Sequence, residues 1–228
     1  ATGIIVNNKL KRFDKIVSNS DVYSTYKYLL KEKLNHNSLK QERSSSAIIF
    51  YWGVKKIYKQ LDLHNIFFSE NYEKEFKYIF DKNKITNDPT IYVNITSKDV
   101  PSDSPELCEN WFVMVNSPFN TGQDWEKIKN NLRLNIISKL ERILKENISN
   151  NIVEERVYTP VDLELNTNSF QGSLYGISSN NKFSAFLRHP NFIKKISNLY
   201  FCGGSVHPGG GIPLCLLSAK IVSNLIEK

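Results

Sequence analysis

The chain has 228 residues, 40% of them hydrophobic and 12% aromatic, enough apolar side chain for one large or two small packed domains and too much for a disordered protein. Thirty Lys and Arg against 23 Asp and Glu leave a net charge of +7, but the cations are spread along the chain beside acids, the pattern of a solvated surface, and no nucleic-acid partner is expected. Cys108, Cys202 and Cys215 form no C-x-x-C pair and read as buried thiols in a reducing compartment; with no leader pattern and no apolar run long enough to span a membrane, a cytoplasmic location is expected.

Residues 3–17 read as a β-hairpin, with Ile4-Ile5-Val6 as one strand, an Asn7-Asn8 turn, and Phe13 to Val17 as the returning strand. Ser18-Asn19-Ser20-Asp21 then offers capping oxygens to a helix over 22–34, whose inner face is Tyr26, Leu29, Leu30 and Leu34. The polar stretch 35–43 reads as a flexible connector. From Ser46 the pattern turns to strands: 47–54 (AIIFYWGV), 65–68, 90–95 (TIYVNI) and 111–115 (WFVMV), with helical spacing at Tyr72, Phe76, Ile79 and Phe80 between them. Strands this apolar suit an antiparallel or mixed sheet with one face on a core, or the wall of a long apolar cavity.

Residues 124–148 carry the clearest helical period, Trp125, Ile128, Leu132, Ile136, Leu140, Ile143 and Leu144, with Asp124 placed as its cap. A strand at 152–158 and a helical turn opened by Pro160 follow. The small-residue segment 171–176 (QGSLYG) has room for a ligand to pass close to backbone, and Phe186-Leu187-Arg188-His189-Pro190 leads to a last strand at 199–202. The closing helix, 212–226, is apolar around most of its circumference and is expected to be buried.

Between that strand and that helix lies the densest chemistry in the chain: Gly203, Gly204, Ser205, Val206, His207, Pro208, Gly209, Gly210, Gly211, Ile212 and Pro213. Glycine lets backbone approach a bulky ligand and adopts positive φ, and Pro213 suits a helix's first turn. The N–H groups of the helix start then face back along the loop, a place for an anion or a carbonyl. No metal site is expected, since the four histidines lack ligand spacing, and neither a G-x-S-x-G elbow, a Walker loop nor a G-x-G-x-x-G is present.

The segment resembles the C-terminal signature of the carotenoid desaturase family, the phytoene-desaturase-type flavoproteins, G-[GA]-x-x-H-P-G-x-G-x-P followed by a Ser-Ala-Lys helix. Gly203, Gly204, His207, Pro208, Gly209, Gly211 and Pro213 match it, as do Ser218, Ala219 and Lys220. Lys15 to Val22 (KIVSNSDV) is similar to that family's strand leading into a helix, and residues 50–53, 65–68, 88–90, 172–176 and 186–190 are similar in kind and order. The form of the loop looks nearer to the branch acting on hydroxylated carotenoids at the 3,4 position than to phytoene desaturases proper.

The resemblance implies an α/β fold, the C-terminal part of a two-domain FAD-binding flavoprotein with a mixed or antiparallel substrate-domain sheet. Residues 1–20 would be a hairpin of the FAD-binding domain, 21–197 the substrate domain, and 198–228 the return to the FAD-binding domain, with the N-terminal dinucleotide-binding unit absent. It further implies FAD-dependent desaturation of a carotenoid substrate, peripheral contact with membrane lipid, and FAD held along Gly203 to Pro213. His207 is the titratable side chain of the loop and a candidate proton relay, Arg188 and His189 weaker ones. An isomerase or retinol-saturase-like flavoprotein, or a non-catalytic lipid-binding module, would share the same loop.

Overall fold

The structure is a computed structural model and describes residues 1–31, 40–180 and 187–227. Two units emerge from the packing, Ala1–Ser44 with Glu164–Lys228, and Ser45–Leu163. The unit edges at 44 and 163 differ from the boundaries at 20 and 197 drawn from the resemblance.

In the first unit, strands β1 (Gly3–Val6) and β2 (Lys9–Arg12) pair antiparallel around Asn7 and Asn8, both at positive φ (51° and 60°), as a two-residue hairpin turn requires. The returning strand is therefore Lys9–Arg12, not 13–17: a two-residue turn puts the partner immediately after Asn8. The apolar residues after it form β3 (Ile16–Ser18), which pairs parallel with β9 (Leu199–Phe201) across 180 residues of sequence. Asp21 caps the helix that follows, accepting from Tyr23 N at 2.8 Å. It runs as α1 (Val22–Ser24) and continues with wider turns over Thr25–Leu30, closing at Lys31 with φ 53°. Of the expected inner face, Tyr26 is buried, Leu30 is half-buried and Leu29 is 69% exposed. Leu34 and residues 35–39 lie outside the described residues. Arg43, expected in a flexible connector, is instead buried, stacked over Phe170 with a β-bridge to Ile177.

The second unit is a five-stranded antiparallel sheet in the order β5-β6-β7-β4-β8. Its strands are β4 (Ser46–Val54), β5 (His64–Phe67), β6 (Ile91–Asn94), β7 (Glu109–Ser117) and β8 (Ile152–Tyr158). In β7 the odd-numbered residues are buried and the even ones half-buried, the period-2 alternation of a sheet with one face on a core. Ile48, Phe50, Trp52, Trp111, Val113 and Val115 pack there with Leu132, Ile136, Ile137 and Leu140 of helix α3 (Trp125–Leu144). Asp124 caps α3 as its position foretold, accepting from Lys127 N at 3.1 Å. The helix ends four residues short of 148: Lys145 turns left-handed at φ 55°, and the Glu141 carboxylate takes up the N–H groups of Ile148 and Ser149.

Helix α2 (Tyr72–Lys82) buries Ile79, whereas its aromatic row Tyr72–Phe76–Phe80 stacks mainly on itself, centroids 4.9 and 6.3 Å apart. Helix α4 (Pro160–Thr167) carries the chain back into the first unit. The last helix, α5 (Ile212–Ile226), has the expected bounds but not the expected burial. Only Ser218 and Val222 are buried, while Ile212, Leu216 and Leu217 are 79%, 68% and 45% exposed. An apolar circumference records what a helix is suited to pack against; in the described residues only its Ser218–Val222 stripe meets a partner. The three cysteines are half-buried rather than buried.

Candidate functional site

Strand β9 and its parallel partner β3 deliver the chain to the glycine loop, Cys202 N donating to Ser18 O at 3.0 Å. Gly203 then takes φ +110°, and a Cβ there would lie 2.7 Å from Asn19 Oδ1, so any side chain meets both strain and a clash. The loop is tied to the start of α1 through Val22 N, which donates to Ser205 Oγ at 3.0 Å.

Each remaining glycine but one is pressed against protein. A Cβ on Gly204 would be 3.3 Å from Gly210 Cα, one on Gly209 (φ +145°) 3.1 Å from Arg188 Nε, and one on Gly210 2.5 Å from the Tyr175 ring. Gly211 is the exception: at φ +92° it faces open space, with nothing among the described residues beyond its chain neighbours within 4 Å. It is also the residue before α5, whose first turn has no side-chain cap and carries Pro213. The loop thus packs its own backbone inward as far as Gly210 and then turns an uncapped helix start, flanked by exposed Ile212 and Leu214, to the outside.

A buried polar staple fixes this shape. Asn191 Nδ2 reaches Phe201 O (3.0 Å), His207 O (2.9 Å) and Ser218 Oγ (3.0 Å), and Ser218 Oγ accepts from Gly203 N at 3.2 Å. Replacing Asn191 by Ala strands these buried carbonyls; a loss of about 2 kcal/mol is expected, read from urea unfolding, with Asn191→Asp no substitute because a carboxylate donates nothing.

His189 is fully buried: its Nδ1 lies 2.7 Å from Pro190 O, to which it donates, and its Nε2 pairs with Tyr26 OH at 3.0 Å. Its backbone carbonyl accepts His207 N at 2.9 Å, which makes it a support of the loop rather than a group facing outward. His207 is exposed. Arg188, immediately before, is buried behind Gly209. Residues 181–186, including Phe186, lie outside the described residues.

Burial raises the Asp21 carboxyl above its ordinary range, against hydrogen bonds from Tyr23 and the charge of Arg43, and the same burial lowers the Arg43 guanidinium. Burial likewise raises the Cys202 thiol, with Cys215 nearby adding to it. The segment 171–176 does receive a close backbone, but it is the loop's own: a Cβ on Gly176 (φ +71°) would lie 2.8 Å from Ser205 Cα. Tyr175 lies in the segment 171–176 and Ser218 in the Ser-Ala-Lys motif, whereas Asn191 belongs to neither, and none of the three is among the expected site residues.

The second unit offers a separate surface. On the sheet face away from α3, the strand register lines up Ile66, Tyr92, Met114, Ile49 and Tyr158 across all five strands. The next row is His64, Asn94, Phe112, Tyr51 and Arg156, apolar at its centre and polar at both ends. Tyr51 touches both Phe112 and Tyr158 edge-on, at 5.4 and 5.8 Å. A shallow groove of about 530 Å³ runs here, lined by Tyr51, Phe112, Asn94, Asn110, Glu154 and Arg156 among others.

No family model matches the chain. It is 56% identical over 226 residues, 99% of its length and 46% of the relative's, to a 1-hydroxycarotenoid 3,4-desaturase of Flavobacterium sp. (strain P99-3). It is 35% identical over 222 residues, 94% of its length and 44% of the relative's, to a 4,4'-diaponeurosporene oxygenase of Staphylococcus aureus (strain MSSA476). Among solved structures, an oxidoreductase from Methanosarcina mazei superposes over 100% of this chain and 46% of its own with a TM-score of 0.57, at 12% identity, a likeness of fold. The chain spans about half the length of the curated relatives it matches. Identity of this extent, with the loop motif in place and folded as a single backbone-packed turn, decides the question: the chain belongs to the carotenoid desaturase family.

Proposed function

We propose that this chain is the C-terminal part of an FAD-dependent carotenoid desaturase, holding the reactive end of the flavin with its first unit and the polyene with its second. The observation that carries the reading is the uncapped start of α5 beside Gly211, the one glycine of the loop with space in front of it.

The residues present fit a flavin ring. The free N–H groups of the α5 start suit the ring's electron-rich edge, and Ile212 and Leu214 suit its apolar face. They do not offer a cradle for the pyrophosphate, which in a dinucleotide site needs the G-x-G-x-x-G turn that this sequence lacks. When bound, the flavin would supply the hydride acceptor for removal of two hydrogens from adjacent carbons. The protein's part is positional and electrostatic: the positive end of α5 favours negative charge held there. Exposed His207 is the loop's candidate for taking up the released proton, and Gly203, Gly204, Ser205, Pro208, Gly209 and Gly210 give the loop its shape.

The apolar row Ile66 to Tyr158 is the proposed wall for the polyene. Five strands about 4.8 Å apart set roughly 19 Å of apolar surface in line, running across the strands. No described helix is long and apolar enough to cross a membrane. Contact with lipid, from which such a substrate must be drawn, is proposed at Ile66 and Phe68, 55% and 65% exposed at the end of β5.

The test is to express the full-length protein and record its absorbance spectrum with and without added hydroxylated carotenoid. Bound flavin that is bleached by the carotenoid under anaerobic conditions is the expected result; a full-length protein that purifies folded without flavin overturns the reading.

A further inference from the structure

Among the described residues, two of the three buried Lys and Arg side chains have a carboxylate beside them. Lys139 Nζ lies 2.6 Å from Asp88 Oδ1, and Arg43 feels the charge of Asp21. Arg188 differs. It is 7% exposed, and its guanidinium donates only to neutral oxygens: Nη1 to Tyr175 O (2.9 Å) and Gly204 O (3.2 Å), Nη2 to Ile177 O (3.0 Å) and Ser179 Oγ (3.3 Å). Among the described residues none forms an ion pair with it, and burial alone is what lowers its pKa, no neighbouring charge raising it again.

An uncompensated buried charge is costly, and a structural brace does not need one, since an uncharged donor is less expensive to bury. The charge also sits at a particular place. Its Nε lies 3.1 Å from where a Gly209 Cβ would be, and the same point is 3.5 Å from Leu214 Cδ1 in the first turn of α5. The cation is therefore directly behind the loop, adding to the positive end of the helix instead of being cancelled by it.

We infer that Arg188 is a positioning residue with an electrostatic role: its unpaired charge behind Gly209 biases the loop toward the more negative, reduced form of the ring it holds. The inference rests on the flavin reading above and goes beyond it by naming the group that sets the redox balance. At equal distance a full charge outweighs the roughly half-charge of a helix end.

Ser179 makes the inference separable from mere folding. It is exposed and touches the guanidinium, so Ser179→Asp places a carboxylate on Arg188 while leaving the three carbonyl bonds intact, and Ser179→Asn adds similar bulk without charge. The experiment is an anaerobic redox titration of full-length holoprotein, followed by flavin absorbance, for wild type, R188M, R188K, S179D and S179N. R188M and S179D are each expected to weaken the preference for reduced over oxidised flavin about tenfold, a fall of about 30 mV for a two-electron couple. R188K and S179N should stay within threefold of wild type. Should R188M lose its flavin, the S179D and S179N pair decides the matter. Equal potentials in S179D and S179N, whether both unmoved or both lowered, overturn the electrostatic role and leave the flavin reading standing. A folded full-length protein without flavin overturns both.

Discussion

Gly210→Val in the full-length protein is expected to lower flavin retention at least tenfold while leaving the five-stranded sheet folded. A Cβ at this position would lie 2.5 Å from Tyr175 Cδ1 and 2.8 Å from Tyr175 Cβ. Rotating the ring relieves the first contact but not the second, because a Cβ moves only with its backbone. The loop must therefore shift bodily, and forced overpacking of this kind costs about 1–3 kcal/mol. The shift is passed on to Gly211 and the start of α5, one residue along, where a ligand group would need its N–H partners in place. Flavin-to-protein absorbance after desalting reads the effect. The double variant Tyr175→Gly with Gly210→Ala should retain more flavin than Gly210→Ala alone, because removing the ring together with its Cβ opens the space the new methyl needs. A Gly210→Val protein that keeps a full complement of flavin would show that the loop is not a cofactor site.

A second large effect belongs to stability and to the other unit. The Glu109 carboxylate, 1% exposed at the start of β7, lies 2.6 Å from Lys98 Nζ and also accepts from Tyr58 N (3.1 Å) and Trp111 Nε1 (2.8 Å). Lys98 in turn donates to Tyr58 O at 2.8 Å, so one ion pair ties the start of β7 to the loop after β4. Lys98→Met removes the cation and leaves the carboxylate buried with two neutral donors. The expected loss is about 3 kcal/mol, at the lower end for breaking a buried pair because those donors remain. Adding Glu109→Gln to Lys98→Met should recover at least half of it, since an uncharged amide costs less to bury than an orphaned carboxylate. Urea unfolding of the three variants, followed by tryptophan fluorescence, measures this directly. A single variant as stable as wild type would mean that water reaches Glu109. By contrast, Lys77–Glu73 is an exposed pair whose removal should barely register.

Local chemistry made much of the architecture readable in advance. The period of α3 with Asp124 at its head, the bounds of α5 from Pro213 onward, and the Asn7-Asn8 turn each depend on neighbours within a few residues. Sequence and structure part where a partner is remote. Residues 16–18 and 199–201 pair in parallel, a contact that no local pattern announces, so by local pattern alone the strand reads as an arm of the hairpin. Arg43 reads as part of a polar connector because its acidic and aromatic neighbours, Asp21 and Phe170, both lie well outside its own stretch of chain.

The glycine loop shows the same division within eleven residues. Its composition, its family signature and the helix beginning at Ile212 were all in the amino-acid sequence, because glycine and proline act on their own backbone whatever surrounds them. Which glycine does what was not. Gly203, Gly204, Gly209 and Gly210 are alike as letters, yet each is required by a different neighbour, Asn19, the loop itself, Arg188 and Tyr175, while Gly211 alone faces space. The same holds for Arg188: its charge is written in the sequence, but that the charge is buried and left without a carboxylate depends on where Tyr175, Ile177, Ser179 and Gly204 fall in three dimensions. Backbone preference is local and survives transcription into one dimension, whereas clash, burial and charge compensation are properties of distance through space, and only the folded chain supplies those distances.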